Sequence, residues 1–447
     1  MVNPPTVGKN ISIDQKIMLA VTLLATLTFC YFAGLSLMIP LLFFFFGLHL
    51  FYVRKTSGRV FLHLTLLLVI LMFATHILQS YAMFSLFYIP VASVAMITTL
   101  LYNDVQLSLA LSFMASSVIG LMAGFTLSQT MVFFIGSLCG AYAVLNARTR
   151  AVFLKAGLLI GLVQLVCALL VAMDFRWLYL TAVLKPLFLN GIVCAVLAGA
   201  GLKIFESIFG EITNFTLLEL SDLSHPLLKR LVVEAPGTYH HCLIVSNLAE
   251  AAADAIGAHA LLTRVGSYYH DIGKMVKPEY FTENQMMIGN KHDTLEPSMS
   301  RLVILNHVKE GVELARQFKL NQRIMDFILE HQGTGLIHYF YQKALTEADA
   351  QQVREQDYRY PGPKPRSKET AIVMLADSVE GATRPMEDHS PQKIGDVVRK
   401  VINNKFIDGQ LDECDLTLRE IDVIASSFVR VLSAMYHGRV KYPENKT

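Results

Sequence analysis

Hydrophobic residues are distributed unevenly along the 447-residue chain, and the pattern changes near Lys203. Before this residue, Leu, Phe, Val and Ala form long runs, whereas Lys, Arg, Asp and Glu become frequent after it. A helix needs about 20 mostly apolar residues to cross the hydrocarbon of a bilayer. The pattern therefore predicts a transmembrane region over residues 1–202, a juxtamembrane connector over 203–230 and a globular domain over 231–440.

The first half contains eight segments that are candidate membrane helices. They cover residues 17–37, 39–53, 60–82, 84–102, 106–125, 129–146, 152–173 and 179–202. The second is short and has Pro40 near its start, so a re-entrant segment or a merger with its neighbour is the alternative to a separate span. Seven spans is therefore the alternative to eight. His49, His63, His76 and Lys185 lie within these segments without a paired acid, so we interpret them as packing residues, with sensing or transport as the alternative.

Basic residues fall mostly on one side of the membrane if the eight segments alternate in direction. That side carries Lys9, Lys16, Arg54, Lys55, Arg59, Arg148 and Arg150, and Arg176 falls on the other. Lys and Arg accumulate in cytoplasmic loops of membrane proteins. The charge pattern therefore predicts that the chain after Lys203 is cytoplasmic.

The second half shows helical periodicity almost throughout. The predicted helices cover residues 239–257, 261–272, 297–317, 321–331, 335–345, 369–383, 390–405 and 417–437. Patterns typical of strands are nearly absent, so we predict an all-α domain. Residues 347–368 contain many charges and then PGPKP, which a helix interior does not tolerate, and are predicted to form a surface loop.

Composition excludes several classes of protein. Hydrophobic residues make up 53% of the chain and charged residues 17%, which is too apolar for a soluble protein of this length. The net charge is +2 and no basic tract stands out, so nucleic acid is not an expected partner. Six Cys are scattered without CxxC spacing, which argues against a disulfide framework or a zinc finger.

Candidate chemistry centres on the adjacent His270 and Asp271, close to Gly273. Imidazoles and carboxylates are ligands that Fe and Mn accept. Further residues of these types, at wide intervals, are His241, His307, His331 and Asp377. The set supplies four imidazoles and two carboxylates, enough for two divalent ions with Asp271 as a bridge and water as the nucleophile. The second half is therefore predicted to be a metal-dependent hydrolase.

Two neighbours of these residues are also candidates. Consecutive helical residues point about 100° apart, so only one of His240 and His241 faces the site. We favour His241, because Val245 and Leu248 share its face, and place His240 beside the ligands or at the surface. Lys274 is a candidate catalytic residue that would stabilise charge on a phosphoryl oxygen, and a solvated lysine at a helix end is the alternative.

Longer runs of sequence carry a resemblance to a known family. They are LELSDLSHPLLKRL, EAPGTYHH, RVGSYYHDIGK, KPEYFTENQ, LNHVKEGVELA, EHQGT, YFYQKAL, YPGPKPRSKE and IVMLADSVE. Over roughly residues 84–437, the chain resembles bacterial membrane proteins of the PgpH type, which join a multi-span region to a cytoplasmic HD-type phosphohydrolase domain. The resemblance implies an α fold, a multi-pass protein of the bacterial inner membrane, and two Fe or Mn ions that cleave cyclic di-AMP to linear pApA. It places the metal ligands at His241, His270, Asp271, His307, His331 and Asp377.

The chain departs from the family pattern at two places. The family usually has His-His-Gly-Thr where this chain has His331-Gln332-Gly333-Thr334, so one ligand of the second ion is a weaker amide or is missing. The family also typically carries a large extracellular domain after its first span, whereas only Gly34 to Ile39 joins the first two spans predicted here.

Two alternatives to hydrolysis of cyclic di-AMP follow. The first is a phosphodiesterase for another nucleotide, such as cyclic di-GMP or a guanosine polyphosphate. The second is a weakly active protein in which Gln332 has compromised the second ion and which binds the nucleotide to signal. The expected partners are a cyclic dinucleotide and membrane lipid, and a homodimer is left open.

Overall fold

The computed structural model describes residues 12–80, 85–172, 180–285, 290–347 and 353–436. The chain divides into two compact units, Met1–Phe215 and Thr216–Thr447. The described residues are mostly helical and form no β-sheet, and among them one isolated antiparallel bridge joins Leu336 to Arg359. The prediction of an all-α fold is confirmed.

The first unit contains eight apolar helices within its described residues. They are α1 (Ile13–Phe32), α2 (Met38–Leu48), α3 (Gly58–Ser80), α4 (Val91–Tyr102), α5 (Val105–Ala123), α6 (Leu127–Ala143), α7 (Ala151–Ala172) and α8 (Lys185–Phe209). Five of the eight, α1, α3, α5, α7 and α8, are long and apolar enough to cross a membrane, whereas α2, α4 and α6 are shorter. Many large apolar side chains on these helices are exposed, as is expected of surfaces that contact lipid. The first unit therefore has the features of a multi-pass membrane region.

The second and eighth helices differ in detail from their predicted spans. Pro40 lies in the first turn of α2, where a missing amide hydrogen costs no helical bond. A π-helical turn, His49–Val53, then continues this helix without a break. Helix α8 runs to Phe209 and ends at Gly210, whose φ of +68° suits glycine, so the helix extends into the predicted connector.

Small residues allow α7 and α8 to pack closely. A Cβ atom added to Gly191 would lie 2.2 Å from the carbonyl oxygen of Gly157 and 2.4 Å from the amide nitrogen of Gly161. Glycines spaced four apart on one membrane helix let a second backbone approach to contact distance. This helix pair therefore requires the absence of a side chain at Gly191.

Loops that follow α2, α4 and α6 meet at one end of this helical bundle. Arg54 forms an ion pair with Asp104. Asn103 donates to the side chain of Asn146 at 2.8 Å, and the backbone of Asn146 donates back to Asn103 at 3.1 Å. These contacts place every second loop on the same side, which is the arrangement that alternating spans predict.

The second unit is a set of helices around the buried helix α16. From the junction of the units onward, the helices are α9 (Asn214–Leu220), α10 (Pro226–Glu234), α11 (Pro236–Ala255), α12 (Ala260–Tyr269), α13 (Pro297–Gln317), α14 (Gln322–Glu330), α15 (His338–Glu347), α16 (Lys368–Thr383), α17 (Pro391–Ile407) and α18 (Leu418–Tyr436). Residues 371–376 of α16 are fully buried, so this helix forms the centre of the unit. The described part of the loop before it, from residue 353, contains only a short 3-10 turn, Glu355–Tyr358.

Candidate metal centre

Side chains from five helices or helix ends converge inside the second unit. The ligand-type atoms form two groups, one from His241, His270, Asp271 and Asp377 and the other from Asp271, His307 and His331. Within each group these atoms lie within 4.8 Å of one another. The structure therefore brings together all six residues that the sequence predicts as metal ligands, and Asp271 belongs to both groups.

Local backbone structure explains how His270 and Asp271 enter this cluster. Helix α12 ends at Tyr269, three residues earlier than predicted, and a 3-10 turn begins at Ile272. The turn packs directly against α13, because a Cβ atom added to Gly273 would lie 1.8 Å from the carbonyl oxygen of His307. Glycine at position 273 therefore permits the close approach that brings Asp271 next to His307.

The imidazoles of His270, His307 and His331 are oriented in one common way. Each ring places Nδ1 against the backbone carbonyl oxygen three residues earlier in the chain. The distances are 2.8 Å to Ser267, 2.5 Å to Ile304 and 2.9 Å to Ile328, respectively. A carbonyl oxygen only accepts, so Nδ1 carries a proton and Nε2 is the nitrogen that faces the cluster. An imidazole oriented in this way can bind a metal ion through Nε2.

Buried polar atoms in the cluster lack hydrogen bonds within the described part of the chain. They are Nε2 of His241, Nε2 of His270 and Oδ1 of Asp271, whereas Oδ2 of Asp271 is ion-paired with Lys274. Burial of such atoms without partners costs about 1–3 kcal/mol each. A divalent ion in each group would satisfy them, so this donor set fits a two-metal centre.

The two oxygens of Asp271 face different groups. Oδ2 lies 3.3 Å from Nε2 of His270 and 3.6 Å from Nε2 of His241. Oδ1 lies 3.3 Å from Nε2 of His331 and 3.5 Å from Nε2 of His307. Asp271 therefore has the position of a carboxylate that could bridge two ions.

Lys274 supplies the positive charge closest to Asp271. Its Nζ lies 2.7 Å from Oδ2 of Asp271 and 2.8 Å from Oε1 of Glu283. Burial acts to lower the pKa of Lys274, but the charges of Asp271 and Glu283 outweigh it and raise that pKa well above its usual range. Lys274 is therefore a protonated cation.

Burial lowers the pKa of His307 to about 4, so this imidazole is neutral near pH 7.

The cluster opens to solvent on one side. The side chains of Lys274 and Asp377 are each 14% exposed, whereas those of Asp271 and His331 are fully closed off. Gln332 lies at this side, and its Nε2 donates to Oδ2 of Asp377 at 3.2 Å. A substrate would therefore enter past Lys274 and Asp377.

The structure separates the two histidines at the start of α11. His241 is 4% exposed and belongs to the first group, as its shared face with Val245 and Leu248 predicts. His240 is exposed and belongs to neither group.

Three charged side chains that the sequence did not point to also line the cluster. Glu283 binds Lys274, Glu380 contacts His241 and Arg384 pairs with Glu380. Glu380 follows Asp377 by three residues on α16, which places both on one helix face, and that spacing was the available signal. Glu283 lies in a chain of short turns, where no periodicity indicates which side chains point inward.

Two family models match the chain. The model described as "HD domain" matches residues 238–382, and the model described as "7TM receptor with intracellular HD hydrolase" matches residues 28–213. The first match includes all six cluster residues.

Curated relatives are similar in sequence over much of the chain. "Cyclic-di-AMP phosphodiesterase PgpH" of Bacillus subtilis is 37% identical over 401 residues, which cover 88% of this chain and 56% of that protein. The protein of the same name from Listeria monocytogenes is 40% identical over 368 residues, or 80% of this chain and 51% of that protein. The chain thus spans about half the length of these relatives.

A solved structure is also similar in sequence to part of this chain. It is the crystal structure of the Listeria monocytogenes PgpH HD domain in complex with cyclic-di-AMP, 47% identical, with a TM-score of 0.47. The match covers 48% of this chain and 100% of that chain. With the two family models, the relatives show that this chain belongs to the family of multi-pass membrane proteins that carry an HD hydrolase domain.

Proposed function

We propose that this protein is a membrane-anchored, metal-dependent phosphodiesterase that hydrolyses cyclic di-AMP to linear pApA. The observation that carries the proposal is the position of Asp271, whose two buried oxygens face two separate groups of ligand atoms. The choice of nucleotide is supported by the names of the two curated relatives, both of which are cyclic-di-AMP phosphodiesterases.

The two groups would each hold one divalent ion. His241, His270, Asp271 and Asp377 would bind the first, and Asp271, His307 and His331 the second. Mixed imidazole and carboxylate ligands favour Fe or Mn. Such ions would supply Lewis acidity at a phosphoryl oxygen and would lower the pKa of a water so that it loses a proton near pH 7 and becomes the nucleophile.

The protein side chains would contribute orientation and charge. Asp271, which is fully buried and shared by both groups, would hold the two groups of ligand atoms at a fixed distance from each other. Lys274, at the open side, would donate to a phosphoryl oxygen and stabilise the charge that develops there. Glu283 would keep the Lys274 ammonium in place through its 2.8 Å contact.

The catalytic unit would lie in the cytoplasm beneath a bacterial inner membrane. The end of the bundle where Arg54 pairs with Asp104 also carries Lys55, Arg148 and Arg150. Thr213, in the segment that leaves the last membrane helix, lines a small cavity together with Asn103 and Asn146 of the same end. Because basic loops favour the cytoplasmic side, the chain would leave the membrane there.

A substrate panel tests the proposed function. The full chain, purified in detergent and loaded with Mn²⁺ or Fe²⁺, is incubated with cyclic di-AMP, cyclic di-GMP and a guanosine polyphosphate. We expect pApA from cyclic di-AMP, with kcat/KM at least about tenfold above the other two. Preference for another nucleotide, or no turnover with both ions bound, would contradict the proposal.

Changing Gln332 to histidine is expected to have a small effect. Gln332 contacts Asp377, and both groups of ligand atoms form without it. We therefore expect Gln332→His to change Mn²⁺ affinity and turnover by less than about tenfold, the lower end of effects seen around metal sites. Equilibrium dialysis and initial rates measure both quantities. A gain above about a hundredfold would instead favour the alternative of a weakly active, nucleotide-binding signalling protein.

A further inference from the structure

His241 is oriented differently from the other three histidines of the cluster. His270, His307 and His331 each place Nδ1 against a backbone carbonyl oxygen, whereas Nδ1 of His241 lies 2.7 Å from the carboxylate of Glu380. Within the cluster, His241 is therefore the histidine whose Nδ1, the ring nitrogen that faces away from the cluster, contacts a charged group on another helix.

The surroundings of Glu380 assign the proton on His241. Nη2 of Arg384, which only donates, lies 2.8 Å from Nδ1 but also contacts Oε2 of Glu380, and the ionised carboxylate is the stronger acceptor of its N–H groups. If Nδ1 carried a lone pair, that lone pair would face the Glu380 carboxylate at 2.7 Å and be repelled. The contact with Glu380 is a hydrogen bond only if Nδ1 carries the proton, and Nε2 is then the nitrogen that faces the first group, 3.0 Å from Oδ1 of Asp377.

Arg384 holds Glu380 in this position. Its Nε donates to Oε1 of Glu380 at 2.9 Å, and its Nη2 contacts Oε2 of the same carboxylate. Glu380 is 1% exposed, so without Arg384 and His241 its charge would be buried at high cost. Paired in this way, the carboxylate remains ionised and its distance to His241 is fixed.

We propose that Glu380, held by Arg384, is a positioning residue that fixes the Nε2 of His241 as a ligand and strengthens its bond to a divalent ion in the first group. A carboxylate that accepts from the outer nitrogen of an imidazole makes the inner nitrogen more basic. The inference needs one part of the proposed function, which is that the first group binds an ion.

Mn²⁺ binding to the full chain tests this role without substrate. We expect Glu380→Ala to weaken binding of one of the two ions by about 10- to 100-fold, the range found when the partner of a metal-bound histidine is removed. The other ion, next to His307 and His331, should be affected by less than about threefold, below that range. Glu380→Gln keeps an oxygen that can accept from Nδ1 but loses the charge, so its loss should be intermediate. Equilibrium dialysis gives both affinities.

A second buried glutamate provides the matched control. Glu330 is 4% exposed and accepts from the hydroxyl of Thr370 at 2.7 Å and from the amide of Arg366 at 3.0 Å. Glu330→Ala also opens a space and breaks buried hydrogen bonds, but we expect it to lower the melting temperature without changing either Mn²⁺ affinity. An equal loss of Mn²⁺ affinity in this control would show that Glu380 acts only through the fold.

The remaining outcomes are also decisive. Unchanged Mn²⁺ affinity in Glu380→Ala would overturn the inference, and if that variant does not fold, unchanged affinity in Glu380→Gln would do so. A wild-type chain that binds two ions but does not hydrolyse cyclic di-AMP would contradict the proposed function, while the expected loss of one ion in the Glu380 variants would still support the positioning role.

Discussion

Replacing Asp271 with asparagine is expected to reduce hydrolysis of cyclic di-AMP by more than about 100-fold, beyond the effect of changing a residue that only supports a ligand. Asp271 is the residue shared by both groups of ligand atoms, and asparagine keeps its shape but removes its charge. An amide offers one weakly binding oxygen, so we also expect at least one ion to be lost. Initial rates and metal content per chain measure the two effects.

The control for this change is an exposed aspartate in the same unit. Asp396→Asn, on α17, alters the net charge equally, but Asp396 is exposed and belongs to neither group of ligand atoms. It should leave rate and metal content unchanged. Turnover by Asp271→Asn within about tenfold of the wild-type rate would show that Asp271 does not bridge two ions.

Replacing Gly273 with alanine is expected to destabilise the second unit by about 3 kcal/mol, the upper end of the cost of overpacking. The new Cβ atom would lie 1.8 Å from the carbonyl oxygen of His307 and 2.5 Å from the amide nitrogen of Gly311. Both are backbone atoms of α13, which cannot move aside as a flexible side chain can. The turn that carries Asp271 would shift, so we expect metal content to fall together with the melting temperature.

Gly381 provides the matched control for this steric effect. It lies on α16, is exposed, and a Cβ atom there would meet nothing within 4 Å. Gly381→Ala should therefore raise stability by about 0.5–1 kcal/mol, because alanine favours a helix over glycine. Scanning calorimetry of the full chain measures both variants. Equal melting temperatures for Gly273→Ala and the wild type would contradict the close packing of the turn on α13.

Eight helices of the second unit, α11 to α18, were predictable from sequence because their apolar positions recur with the helical period, whereas α9 and α10 lie in or next to the predicted connector and were not predicted as helices. The predicted bounds agree with the structure to within three residues, and residues 297–317 match completely. The connector is different: residues 203–209 continue the last membrane helix, and Gly210 ends it. Apolar composition indicates where contact with lipid stops. A helix, in contrast, ends where the backbone leaves the helical conformation, as it does at Gly210, and the two positions need not coincide.

The six ligand-type residues were predictable because His and Asp are chemically distinctive in apolar surroundings. The residues that support them were not, since their pairing depends on distant parts of the chain. Glu380 contacts His241 across 139 positions, and Glu283 reaches Lys274 from a segment of short turns. Gln332 was expected to weaken the second ion, yet its amide lies against Asp377 of the first group. Which group of ligand atoms a neighbouring side chain contacts depends on how the helices pack in the folded protein.

The rate of pApA formation, measured against the number of Mn²⁺ ions bound per chain, tests the two-metal proposal most directly. Because Asp271 faces both groups, we expect little turnover with one ion bound and full turnover with two. Full turnover after complete removal of metal by a chelator, or with a single ion bound, would contradict a two-metal phosphodiesterase centred on Asp271.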